Sequence, residues 1–228
     1  MKKITNTAER FEGVNLSRTF KNICDRFGLG SKAVLDIGCG YGQYLTHFGK
    51  GSVGITTAEE EVEFGKSRGL RIVLGNAERL DPNLGAHFEA FWANNIFEHL
   101  LSPHAFLMKL KLLAHDDALI IIGVPVVTSL PFLMRVTAWR GPLASNHVNF
   151  FTARTVGLTV GFAGWKPIEV RPFIFKSRLL DALVRPFAPH MYVIARNIPN
   201  FTYPPKKVGE WIGDIHYHEM LNITHQNG

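Results

Sequence analysis

The sequence is short of several things, and each shortage narrows what the chain can be. Its two cysteines, Cys24 and Cys39, are too few for a disulfide framework in 228 residues, which points to a reducing cytoplasm. Charged residues make up only 19% against 46% hydrophobic ones, so the chain can bury a full core and is not disordered. No run of lysine and arginine exceeds two residues, so the formal net charge of +6 comes without a dedicated nucleic-acid module. No apolar stretch follows the two lysines of MKKITNTAERFEG, as a secretory leader would require. The most apolar segment, Ala118 to Met134, is interrupted by Pro125 and Pro131 and lacks anchoring flanks. It reads as a buried strand and an apolar loop, not a transmembrane segment, and a membrane-surface role is a minor alternative. Internal repeats and low-complexity stretches are missing too.

What is present is an alternation of short apolar strands with amphipathic helices. Phe11, Leu16, Phe20, Ile23 and Phe27 recur at helical spacing near the start. AVLDIG, SVGIT, LRIVLGN, FEAFWANN and ALIIIGVP read as five buried strands. Helices are predicted over Tyr41 to Phe48, Ala58 to Ser67 and Pro103 to Ala114, and Thr57 with Glu60 reads as a capping box for the second. FTARTVGLTVGFAG reads as a helix capped by Thr152, and WKPIEVRPF and HMYVIARN as two further strands. The pattern implies an α/β domain with a mostly parallel sheet covered by helices on both faces, binding its ligand at the carboxyl ends of the strands. One domain is expected over residues 1–197, with lid insertions near 126–146 and 176–189. A tail over 198–228 is expected to pack on it through Trp211, Ile215 and Tyr217.

The chemistry concentrates in VLDIGCGYGQYL, which sets Gly38, Gly40 and Gly42 at a strand-to-helix turn where a ligand can approach the backbone closely. The dinucleotide fingerprint needs a further glycine at position 43, where this chain has Gln43, which weakens a nicotinamide reading. The run from Asp36 to Gly42 resembles the first motif of class I S-adenosylmethionine (SAM)-dependent methyltransferases. VLGNAERL resembles the third-strand segment of that family, and FWANNIFEHLLSPHAFLMKLKLLAHDDALIIIGVP its fourth strand, helix and fifth strand. HVNFFTARTVGLTVGFAGW resembles a stretch that follows the fifth strand in the ubiquinone-biosynthesis-like branch. Together these segments cover residues 30 to 170, and they imply the Rossmann-like, seven-stranded class I methyltransferase fold.

The resemblance also implies roles. The turn Gly38, Cys39, Gly40, Tyr41 and Gly42 would face the methionine part of SAM, with Asp36 holding the turn or the cofactor's amino group. Asn76 would accept from the adenine amino group, Ala77 would offer its N–H to the ring, and Glu78 follows in the same segment. The carbonyl of Asn94, with Asn95 beside it, would accept from the ammonium. Where many relatives place an acidic residue for the ribose, this chain has Thr56 followed by Thr57. Cyclopropane fatty-acid synthases have a similar Gly-x-Thr with Gln five residues on, which makes Glu61 the second half of a two-residue clamp.

Methyl transfer to a protonated acceptor calls for a base, and His99 and His147 are the candidates. Some quinone-pathway relatives bind a divalent metal through Glu-x-x-Glu-His. Here Asn95 replaces the first glutamate ahead of Glu98 and His99, so no metal site is expected. The acceptor pocket would draw on Tyr41, Tyr44, the N-terminal helix and the two lids, whose Phe132, Met134 and Trp139 favour an aromatic or partly apolar molecule. The reading is a cytoplasmic enzyme, monomer or homodimer, moving a methyl from SAM to an oxygen or nitrogen of a small-molecule acceptor and releasing S-adenosylhomocysteine. The alternatives are a catalytically degenerate SAM-binding domain and an RNA-modifying methyltransferase. The Asn/Asp-Pro-Pro-aromatic signature of base amino methylation does not occur.

Overall fold

The computed structural model describes residues 7–81, 84, 87–144 and 146–211. Helices α1 (Thr7–Leu16) and α2 (Arg18–Phe27) lead into β1 (Val34–Ile37), followed by β2 (Val53–Thr56), α3 (Glu59–Ser67), β3 (Ile72–Leu74) and β4 (Phe88–Asn94). Then come α4 (Pro103–Leu110), β5 (Ala114–Pro125), α5 (Ala153–Phe162), β6 (Trp165–Arg171), α6 (Arg178–Val184), β7 (His190–Asn197) and α7 (Pro205–Trp211). The strands form one sheet in the order β3-β2-β1-β4-β5-β7-β6. The first five run parallel, while β7 is antiparallel to both its neighbours. Strand order reverses between β1 and β4, and the crevice at such a switch is where α/β sheets take their ligands.

Alternate residues of the central strands feed two cores, as the pleat requires. On β4, Phe91 joins Phe97, Phe106, Ile120 and Trp165 on one face, and Trp92 joins Phe20, Ile23, Ile121 and Ile194 on the other. Phe20, on α2, packs its ring 5.3 Å from Trp92, so the N-terminal helices close one face of the sheet directly behind the site. The tail up to Trp211 packs back on α4, with Tyr203 hydroxyl 2.5 Å from His104 Nε2 and Trp211 against Tyr203. Ile215 and Tyr217 lie outside the described residues.

A buried ion-pair network ties the segment after β6 to the body. Arg171 donates to Glu169 and to Asp181, each at 2.6 Å, and lies 3.9 Å over the Phe173 ring. Arg26 from α2 and Arg178 from α6 also donate to Glu169. Burial pushes the Glu169 carboxyl up, but the hydrogen bonds from Arg178, Arg26 and Arg171 outweigh it and leave the group below its usual range. Asp181 Oδ1 accepts from Phe175 N at 2.9 Å, so the chain between β6 and α6 is held at both ends.

Three local expectations are corrected. The helix predicted over Tyr41 to Phe48 is a series of turns ending in a 3-10 turn, Leu45–His47. The chain must come back at Gly49, whose Cα lies so close to the Ser31–Lys32 backbone that an added Cβ would meet it at 2.5 Å. The capping box at Thr57 does not form either: Ala58 is the N-cap of α3, and its N–H is taken by Thr56 Oγ1 at 3.2 Å. Third, α4 stops at Leu110 and gives way to a 3-10 turn, Lys111–Leu113. The expected cap at Thr152 is present, its hydroxyl accepting from Thr155 N.

Candidate functional site

The glycine turn is left-handed at three positions, with φ of 71° at Gly38, 56° at Gly40 and 81° at Gly42, a region open to glycine at little cost. Its own backbone is largely committed to holding the turn. Gly38 N and Cys39 N both donate to Ile55 O, at 2.9 and 3.0 Å, and Gly42 N donates to Cys39 O. Cys39 points inward: its Sγ lies where a Cβ on Gly54 would be 2.6 Å away. Burial, with Asp36 and Glu61 nearby, pushes its thiol well above the usual range. Gly40 is the position with room in front of it, facing the side chains of Gln43 and Glu61.

Around that turn two buried acceptor oxygens have no hydrogen-bond partner among the described residues, Asp36 Oδ2 and Gln43 Oε1, and a third, Asn94 Oδ1, lies across β4 on the side of Gly123 and His190. Unmatched acceptors of this kind are costly, and one matched by a cationic donor gains correspondingly. Asp36 is 1% exposed, and burial pushes its carboxyl up to about 8. Asn94 at the end of β4 donates its Nδ2 to Tyr44 hydroxyl at 3.3 Å, which turns Oδ1 away as the free acceptor. The donor set suits an ammonium flanked by polar groups.

At the end of β2, Thr56 and Glu61 meet. The buried Thr56 hydroxyl donates to Glu61 Oε2 in a short bond while accepting from Ala58 N. Glu61 Oε1 stays on the Gly40 side, 3.7 Å from where a Cβ on that glycine would be. Thr56 therefore orients a carboxylate that α3 delivers from its first turn. Thr57 is exposed, as are Glu59 and Glu60. Tyr41 hydroxyl donates to Glu60 at 3.2 Å and its ring lies under Arg10, which joins α1 to this rim.

Asn76 caps the 3-10 turn Ala77–Arg79, its Oδ1 accepting from Glu78 N at 2.8 Å, so an adenine amino group would have to use its second lone pair. Glu78 turns toward α4, where its Oε1 accepts from Ser102 N at 3.0 Å. Asn95 has a left-handed φ of 56°, held by its N–H to Gly123 O at 2.8 Å. In that conformation its Oδ1 accepts from His190 Nε2 at 2.9 Å. His190 was missed by sequence reasoning. It lines a cavity of about 330 Å³ together with Ser17, Thr19, Asn94, Asn95 and Tyr192. Burial lowers its imidazole to about 4, so the ring is neutral near pH 7.

His99 and His147 come together, with rings 4.8 Å apart, but around Glu98 and not among the residues lining that cavity. Each Nε2 lies 3.9 Å from Glu98 Oε1. Each Nδ1 faces a backbone carbonyl, Asn146 O at 3.1 Å and Pro142 O at 3.2 Å, which places the proton on Nδ1 and leaves both Nε2 lone pairs free. Glu98 Oε2 is buried without a partner among the described residues. The loops are fastened there, since Val148 N and Asn149 N both donate to Glu98 O. A carboxylate and two imidazole lone pairs converging in this way fit a divalent cation.

With this geometry in view, comparison with known proteins decides the family. The family model described as "Methyltransferase domain" matches residues 15–170. The chain belongs to that methyltransferase family. A ubiquinone biosynthesis O-methyltransferase of Maricaulis maris is 28% identical over 142 residues, which are 56% of each protein, so the chain spans little more than half of that relative. A SAM-dependent methyltransferase of Mesorhizobium loti superposes with a TM-score of 0.60 at 14% identity, over 81% of this chain and 100% of that one. One from Thermotoga maritima, described as a possible histamine N-methyltransferase, gives 0.58 at 15% identity, over 83% and 94%. These likenesses establish the fold.

Two measurements probe the cofactor face. Because Asp36 is largely protonated at pH 7, an ammonium bound against it drives the proton off. Calorimetry of SAM binding in two buffers of different ionisation enthalpy should show release of close to one proton, and Asp36→Asn should abolish the release and weaken binding. Glu61→Ala should cost about 1–3 kcal/mol of SAM affinity, whereas Glu59→Ala should leave it unchanged; equal small effects would remove Glu61 from the site.

Proposed function

We propose that the enzyme methylates an oxygen or nitrogen of a small molecule seated between the ends of β4 and β7 and the start of α2. The observation that carries this reading is the cavity lined by Asn94, Asn95 and His190, which Asn94 links to the glycine turn, its Nδ2 donating to Tyr44 hydroxyl on one side while its Oδ1 faces Gly123 and His190 on the other. SAM supplies a methyl on a sulfonium, already activated toward a nucleophile. The chain's part is to align the acceptor, exclude water and receive the proton. Ser17 and Thr19 offer hydroxyls for orienting a polar acceptor, and Tyr192 and Ile174 give it apolar walls. With Nε2–H held by Asn95 Oδ1, His190 keeps its lone pair on Nδ1, so the arrangement is a base fixed in one tautomer by a third group. The acceptor's proton moves to that nitrogen as its heteroatom bonds to the methyl carbon, and the carbon–sulfur bond breaks to leave a neutral thioether. Both cysteines are free, in keeping with work in a reducing cytoplasm.

A second feature favours a metal beside this chemistry, against the expectation from the sequence. Glu98, His99 and His147 would hold a divalent cation, which when bound would offset the buried Glu98 carboxylate and fasten the two loops that carry these residues. Asn95 replaces the first glutamate of the metal motif, but the fold brings in His147 from 48 residues beyond His99.

Turnover is tested with SAM and a panel of phenols, catechols and amines, following S-adenosylhomocysteine release. Tight SAM binding without release on any of them would favour the degenerate reading. Against an accepted substrate, His190→Gln should lower kcat by roughly 10²–10⁴ with SAM affinity unchanged. Zinc or manganese titrated calorimetrically should bind at one site per chain and lose that site in Glu98→Gln and His147→Ala. Absence of a stoichiometric site would return these histidines to a structural role.

A further inference from the structure

The segment between β6 and β7, whose ends line the acceptor cavity, is built inside out. In α6 the carboxylate, Asp181, is fully buried, whereas Leu179 and Leu183 are 72% and 65% exposed and Leu180 is 46% exposed. Positions 179, 180 and 183 share one face of a helix. Phe175 and Phe187, flanking α6, are also exposed. The loop after β5 adds Phe132 and Val136, both exposed, and Trp139 Nε1 donates to Phe187 O at 2.6 Å. That bond joins the loop and the α6 segment into one apolar surface, larger than the single exposed leucines that need no explanation.

The charges around it have one sign. Between Ala118 and Pro204 the sequence has nine arginines and lysines and only two carboxylates, Glu169 and Asp181. Both carboxylates are buried and ion-paired. Arg135, Arg140, Lys176, Arg178 and Arg185 are all exposed on the same two segments. Arg185 and Arg154 also line a cavity of about 400 Å³ that has Ser129 at its side and Val126, Ala188 and Met191 as apolar wall. Two guanidinium groups above an apolar wall suit a phosphate ester with hydrocarbon behind it.

We propose that this face docks on an anionic phospholipid bilayer. The leucines and phenylalanines enter the boundary between headgroups and acyl chains, and the arginines and lysines lie at headgroup level with their stems along the apolar surface. A second copy of the chain is a poorer occupant, because it would set two faces without exposed carboxylates against each other. The docking is peripheral: among the described residues no helix is long and apolar enough to cross a membrane. The segment's ends, Pro172, Ile174, Ala188 and Pro189, line the acceptor cavity, so the docked face lies beside its mouth.

The test does not depend on turnover. The full chain is sedimented with vesicles of phosphatidylcholine alone or with phosphatidylglycerol at about one lipid in three. Pelleting with the anionic vesicles that weakens with added salt is expected. The pair Leu179→Asp and Leu183→Asp should lower partitioning by about tenfold or more at unchanged SAM affinity. Phe132→Asp, on the other segment, should lower it as well and serves as the test where the leucine pair disturbs SAM binding. Failure to pellet, equal pelleting with neutral vesicles, or pelleting that these substitutions leave intact each overturns the proposal. So does a dimer, or RNA binding, that the substitutions abolish in the absence of any vesicle binding.

Discussion

Everything at the site hangs on one carbonyl. Ile55 O, near the end of β2, accepts from both Gly38 N and Cys39 N, and so pins the turn after β1 to the neighbouring strand. With that bond pair in place, Gly40 faces the carboxylate that Thr56 and α3 present, and the buried oxygens of Asp36 and Asn94 lie at the ends of adjacent parallel strands. The N–H groups of Gly38, Cys39 and Gly42 are thereby engaged within the protein, while the oxygens of Asp36 and Gln43 beside them have no partner among the described residues. Preorganised acceptors of this sort are expensive for the free protein and selective for a cation.

The buried ion-pair network does for the segment after β6 what the Ile55 carbonyl does for the glycine turn. Glu169 gathers arginines from α2, β6 and α6, so the N-terminal α2 is fixed to a pair of elements far along the chain. Such a network contributes more to geometry than to net stability, because desolvation offsets much of the attraction, while loss of one partner leaves a charge stranded. Its location explains how a seven-residue helix with leucines outward stays folded against the body: the helix is anchored by Asp181 and Arg178 rather than by an apolar inner face.

Much of this was legible in the sequence, for physical reasons that can be named. Strand and helix alternation is local, and β1, β2, β4 and the second half of β5 were found because each is an apolar run buried on both sides. The Thr56–Glu61 pair was legible because its spacing fits one turn of a helix starting after the strand. The helix predicted after Gly42 failed because the return at Gly49 is set by the Ser31–Lys32 backbone, a contact that periodicity does not register. Thr57 lost its cap to Thr56 by one residue, a shift that follows from where β2 ends. His190 escaped notice because its place depends on strand direction. In an antiparallel strand the first residue lies at the same end as the last residues of the parallel ones, and His190 is indeed in register with Pro125 of β5. Likewise the meeting of Glu98 with His147 depends on two loops being zipped together by backbone bonds that leave no trace in composition.

The placing of β7 has a bearing on how the molecule comes to be made. It is the last strand among the described residues, yet it lies between β5 and β6, both synthesised before it. Until residue 197 has emerged, Ile120, Ile121 and Ile122 lack the strand that covers their hydrogen-bonding edge, and β6 has no strand to pair with. The nascent chain therefore carries an open, strongly apolar sheet edge from the completion of β5 at Pro125 to that of β7 at Asn197, and closes the sheet by inserting β7 between strands already made. Assembly by late insertion is slow and exposed to misassociation, so a chaperone or a crowded ribosome surface would act on this protein mainly before that step.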